Sequence, residues 1–133
     1  MTDEQIVLAR RAVACRGWRW MAGMLTACSV RVIEGGGGYI IGHRQGATRE
    51  GGGWVDAEDA GYLPDLTDPA TLGCLLALVR EAWGDECACV LPVDYGPGDV
   101  MWVCQLTAGG RSLTARHWVT EAEALVAALE ASP

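Results

Sequence analysis

The stretch from Leu63 to Gly84, LPDLTDPATLGCLLALVREAWG, constrains the fold more than any other, because it contains a helix together with its start and stop signals. Asp68 can accept the free N–H groups of a first turn, and Pro69 follows where its missing N–H costs little. Leu72, Leu75, Leu76, Val79 and Trp83 recur at helical spacing, and Gly84 can take the left-handed conformation that closes a helix. Burying those five side chains is worth on the order of 10 kcal/mol, an upper value because the unfolded chain already hides part of that surface. A sheet is expected beneath this helix.

The rest of the chain follows in order. Thr2 to Gln5 fits a capping box, which opens a first helix to about Arg16 with Ile6, Ala9 and Val13 on one stripe and Gly17 as its stop. The period changes to alternation from Trp18 to Met24, which predicts a strand. Ser29 to Glu34 and Tyr39 to His43 predict two more, joined through the glycines at 35 to 38 as a hairpin. From Gly42 to Gly61 the pattern dissolves into a long, mobile surface loop. After the Leu63–Gly84 stretch, Asp85 and Glu86 turn the chain. Cys87 to Val93 predict a strand that Pro92 confines to an edge, and Asp94 to Asp99 a turn.

Met101 to Thr107 and Ser112 to Trp118 flank Gly109-Gly110 as a hairpin, whose symmetric register sets Leu106 against Leu113, Cys104 against Ala115 and Trp102 against His117. Thr120 to Glu123 is a second capping box, and it opens a last helix with Ala122, Leu125, Val126 and Leu129 on one face. The expected order is α, β, β, β, loop, α, β, β, β, α. This is an α+β fold with a mostly antiparallel sheet and helices packed on it, in a single domain over 1–133.

Composition narrows the function classes. No run approaches the roughly 18 apolar residues of a membrane span, and the N-terminus shows no secretory leader, so a cytoplasmic protein without a membrane partner is expected. The six cysteines therefore need no disulfide framework, and Cys15, Cys28, Cys74 and Cys104 are expected to be buried small hydrophobes. The net charge is -7 and unevenly placed: residues 1–50 carry seven Arg against four carboxylates, residues 51–133 three Arg against thirteen, and Lys is absent. An acidic second half makes nucleic acid an unlikely partner there. It leaves room for a face that meets a basic partner or mimics nucleic acid, or for charge that only keeps the chain soluble.

The helix leading into Gly17-Trp18-Arg19-Trp20, the Leu63-Pro64-Asp65 approach to the helix at 68–83, the late strand around Trp102 and the helix entered through Thr120 to Leu125 occur in an order that resembles the phage ABA sandwich domain, a family of small bacteriophage-encoded proteins of unknown function. The resemblance covers about two thirds of the chain. It implies a sheet with helices on both faces, an α-β-α sandwich, and a phage or prophage origin. The segment Cys87 to Cys89 and the expanded glycine-rich stretch from 35 to 53 depart from the family pattern, and no catalytic residues come with it.

Residues capable of chemistry are sparse. Cys87 and Cys89 would share one side of a strand, and a zinc ion there would draw further ligands from Cys104, His43 or His117; two thiols facing the core are the simpler reading. His117, set opposite Trp102, reads as structural. Asp56, Glu58 and Asp59 lack the spacing of a calcium loop, and the glycine runs at 35–38 and 51–53 lack the Lys-Ser/Thr of a phosphate cradle. No cofactor and no catalytic set emerge. The expected activity is binding, to a host or antiviral-defence protein, through the 42–61 loop with His43, Arg44, Arg49 and Trp54 as the contact surface. The alternative is a sequestering protein for a nucleotide-like ligand, with Arg44 and Arg49 on phosphate and a Trp on the base.

Overall fold

The computed structural model describes residues 1–29, 31–35, 38–41, 63–107 and 116–133. Three helices form where the capping chemistry demands. Helix α1 (Asp3–Ala14) opens on the Thr2 box, in which the Gln5 N–H donates to Thr2 Oγ1 at 3.2 Å and the Thr2 N–H donates to Gln5 Oε1 at 2.8 Å. Helix α2 (Pro69–Trp83) opens on Asp68, which accepts from the Thr71 N–H at 2.8 Å, and closes on Gly84 at φ 59°. Helix α3 (Glu121–Glu130) opens on the reciprocal pair Thr120 and Glu123. Each cap satisfies N–H groups that no helical carbonyl can reach.

Helix α1 ends at Ala14, two residues before the expected Arg16, with Cys15 already extended. Gly17 has a reason beyond stopping the helix. A Cβ there would sit 3.1 Å from Leu129 Cδ1 and 3.4 Å from Ala82 Cβ, so the missing side chain lets this backbone approach α2 and α3 closely.

The strand expected from Trp18 to Met24 does not form. Trp18 donates its N–H to the Cys15 carbonyl, Met24 to that of Met21, and Gly23 takes φ 100°. Alternation in this stretch comes from Trp18 and Trp20 meeting edge to face, 5.7 Å between ring centroids, within one turn-rich segment. Pairing begins only afterwards: Leu25 bridges Arg31, and Thr26 bridges Pro64. Strands β1 (Val32–Gly35) and β2 (Gly38–Ile41) make the expected glycine-rich hairpin, from Val32 opposite Ile41 to Gly35 opposite Gly38.

Strands β3 (Cys89–Asp94) and β4 (Val100–Gln105) form a second antiparallel pair, from Cys89 opposite Gln105 to Asp94 opposite Val100. Trp102 exchanges backbone hydrogen bonds with Trp118 on its other side, at 2.7 and 2.8 Å. Its N–H and C=O therefore point away from Pro92, its partner on β3, and the proline leaves no gap in that ladder. The bridge from Trp102 to Trp118 lies one residue from the expected pairing with His117. A one-residue slip exchanges faces. Here it brings Trp118 against the core and leaves His117 exposed, the better arrangement for an apolar ring beside a polar one.

The core is organised on α3 rather than α2. Ala122, Ala124, Leu125, Val126, Ala128 and Leu129 are all buried, and α3 packs against α1, α2, β3 and β4. A helix apolar on so many sides belongs in the middle. The layer beneath Leu75, Leu78 and Val79 of α2 is therefore α3, where a sheet was expected, and the Trp83 Nε1 donates across the contact to the Ala128 carbonyl at 2.8 Å. The chain is α+β, and no described helix is long and apolar enough to cross a membrane.

Candidate functional site

His43, Arg44, Arg49 and Trp54, the residues of the expected contact surface, lie outside the described residues, as do Asp56, Glu58 and Asp59. Among the described residues, chemistry concentrates in two places.

The first is the outer face of the β3–β4 pair. The pleat sends Val90, Trp102 and Cys104 toward the core and Leu91, Val93, Met101 and Val103 to the opposite face. Leu91 is 43% exposed there, and Tyr95 in the following turn 52%. The turn is built by short-range bonds: Asp94 accepts from the Gly96 N–H, the Tyr95 N–H donates to the Asp99 carbonyl, the Asp99 N–H donates to the Gly96 carbonyl, and Gly96 and Gly98 take φ of 137° and 81°. The Tyr95 hydroxyl lies 2.8 Å from His117 Nδ1, with the two rings edge to face, so His117 fixes an exposed tyrosine instead of packing on Trp102. Asp94 and Asp99 add two exposed carboxylates to the same turn.

The second is an open cleft of about 480 Å³ between α1, α3 and β4. Its lining includes Arg11, Cys104, Arg116, Trp118, Ala127 and Glu130. Arg11 and Glu130 form a two-pronged ion pair, Nε to Oε1 at 2.8 Å and Nη2 to Oε2 at 2.7 Å. That bond raises the Arg11 pKa and holds the Glu130 carboxyl below its ordinary range. Arg116 is exposed and has no hydrogen-bond or ion-pair partner among the described residues. Burial, reinforced by the nearby Cys89 and Asp85, pushes the Cys104 thiol up to about 11, so it stays protonated at neutral pH and presents an apolar wall, not a nucleophile. Sequence reasoning missed this cleft. Its parts are scattered from 11 to 131, and the one local signal was Arg116 two residues before Trp118.

The cysteines fall differently from expectation. Cys104 is buried, Cys15 and Cys74 are half-buried, and Cys28 is exposed. Cys87 sits exposed in a turn before β3, so it does not share a strand face with Cys89, and the pleat puts Cys89 and Cys104 on opposite faces. Among the described residues, no three His, Cys, Asp or Glu side chains gather where they would hold a metal ion. The chain matches no family model, no curated protein and no solved structure.

Proposed function

We propose that this chain is a non-catalytic phage or prophage accessory protein that works in the host cytoplasm by binding a host or antiviral-defence protein. The contact surface is the outer face of β3–β4, and the partner is a protein that offers an apolar recess with a basic rim. The observation that carries this reading is the exposure of Leu91 and Tyr95 beside the half-buried Val93 and Met101 and the buried Val103, an apolar run on one face that ends at the exposed Gln105. A sheet that faced only water on that side would alternate to polar residues. Apolar patches rimmed by polar groups mark contact sites, and aromatic side chains are the usual anchors. The carboxylates of Asp94 and Asp99 in the adjoining turn and the net charge of -7 favour a basic partner.

Among the described residues no strand pairs with β3 on the side away from β4, and the chemistry of that edge argues for face-on binding. Pro92 has no N–H to offer on the side of β3 turned away from β4, which blunts strand-to-strand addition there.

The test begins with tagged protein expressed in a high-GC bacterial host and identification of what it captures. The captured protein is then purified and titrated against wild type, Tyr95→Asp and Leu91→Asp. Each variant should weaken binding at least about tenfold, and added salt should weaken wild type. Equal affinity for all three proteins, with circular dichroism unchanged, would remove this face from the interaction.

A further inference from the structure

We infer that the cleft between α1, α3 and β4 is a binding site for a small planar aromatic monoanion, held by the Arg116 guanidinium and the Trp118 ring. This site is separate from the proposed protein-binding face.

The charge inside the cleft selects the ligand. Arg11 and Glu130 satisfy each other through two short bonds, which leaves Arg116 as the uncompensated charge among the described residues of the lining. One surplus positive charge matches one anionic group, and a planar carboxylate can take two parallel N–H bonds from a guanidinium. The position of that group is set as well. Ala127, Ala128, Glu130 and Ala131 bring the carbonyl end of α3 to one side of the cleft, and the negative end of a helix repels an anion. The anionic group therefore sits at Arg116, away from α3.

Shape selects the rest. On the α3 side the wall is Ala124, Ala127, Ala128 and Ala131, at spacings that put them on one ridge with nothing beyond Cβ. Trp118 is half-buried in the lining, and the protonated Cys104 thiol closes the floor without a strong hydrogen-bond demand. A smooth wall with an indole suits a flat apolar body better than a branched or heavily hydroxylated one. A volume of 480 Å³ lies within the range of small-molecule pockets, roughly 300 to 1,000 Å³.

The probe is 2-naphthoate, with 2-naphthamide as its neutral counterpart, each titrated into the full chain by calorimetry and followed by NMR. We expect 2-naphthoate to bind at sub-millimolar concentration and the amide about tenfold more weakly. Arg116→Gln should lower the acid's affinity about tenfold and bring the two probes level, because it removes the charge and nothing buried. Ala127→Leu, which fills the cleft, should abolish binding of both. The proposal is overturned if the two probes bind alike to wild type, or if neither binds. Unchanged binding of 2-naphthoate to Arg116→Gln overturns it too. Arg116 is exposed, so that variant keeps the fold and remains decisive even if Ala127→Leu does not. Loss of protein binding in Tyr95→Asp has no bearing on these titrations, so the two sites fail or survive separately.

Discussion

The two ends of α2 are each fastened by an aspartate, and they are fastened in different ways. At the N-terminal end the Asp68 carboxylate accepts from the Thr71 N–H and hydroxyl at 2.8 and 3.0 Å, and Arg31 reaches it at 3.3 Å from a distant segment. The same guanidinium donates to the Gly23 carbonyl at 2.6 Å, while Thr71 Oγ1 accepts the Leu25 N–H. At the C-terminal end Asp85 is only 5% exposed and collects the Cys87 N–H, the Thr107 N–H and the Thr107 hydroxyl. Both carboxylates tie the helix to chain far away in sequence. The first does so at a partly open site, the second in the interior. Burial, more than residue type, should set how much each is worth.

The sharpest way to break that comparison is Asp85→Ala. It removes a buried acceptor from the Cys87 and Thr107 N–H groups and from the Thr107 hydroxyl, and hydrogen bonds to a charged group are each worth about 1.5 to 3 kcal/mol. A loss of about 3 kcal/mol or more is expected in urea unfolding. Asp68→Ala should cost less, about 1 to 2 kcal/mol, the usual value of an N-cap. If Asp68→Ala proved the more damaging, burial would not be the governing variable.

Acid sharpens the contrast further. Burial alone would push the Asp68 carboxyl up, but the Thr71 N–H, the Arg31 guanidinium and the Thr71 hydroxyl outweigh it and leave the pKa lowered. A group whose pKa is lowered by folding contributes stability above its unfolded value, near 4, and loses it as pH falls through the folded value. Wild type should therefore lose stability on acidification below about pH 4, and Asp68→Asn, whose amide still caps but does not titrate, should lose less over the same window. Parallel slopes for the two proteins in urea midpoints between pH 5 and 2 would show that Asp68 does not carry the effect.

How much of this was readable in the sequence depends on the range of the interaction. The caps at Thr2, Asp68, Gly84 and Thr120 were, because cap and partner lie within four residues. So was the pairing of β1 with β2 through the glycine run. Trp18 to Met24 was not. Its alternation is genuine, but the turn that replaces the strand is held by Gly23 and Val32 and, beyond it, by Leu63 and Pro64, none of which local pattern can weigh. The late partner of Trp102 was expected antiparallel and set off by one residue, since the symmetric register split the faces cleanly without asking which of His117 and Trp118 gains more from burial. The cleft has no local signature at all: Arg11, Trp118 and Glu130 meet only because α1 and α3 pack.

The smallest expected effect is the one that interatomic distance would rank highest. Arg19 and Glu81 also tie the early segment to α2, through two bonds of 2.9 and 2.7 Å, shorter than the 3.3 Å contact of Arg31 with Asp68. Yet the Glu81 side chain is 61% exposed against 13% for Asp68. Water and salt screen the exposed pair, and holding two long side chains in one geometry costs entropy. Arg19 does lower the Glu81 pKa, but on an open surface that shift carries little stability. Glu81→Gln should therefore leave the urea midpoint within experimental scatter, whereas Arg31→Gln should lower the unfolding free energy by a measurable amount, up to about 1 kcal/mol. A double-mutant cycle on each pair decides the matter, with coupling expected for Arg31 and Asp68 and none for Arg19 and Glu81. The reverse result would mean that contact length, not exposure, ranks the ties on this helix, and the ordering of Asp85 above Asp68 would lose its rationale.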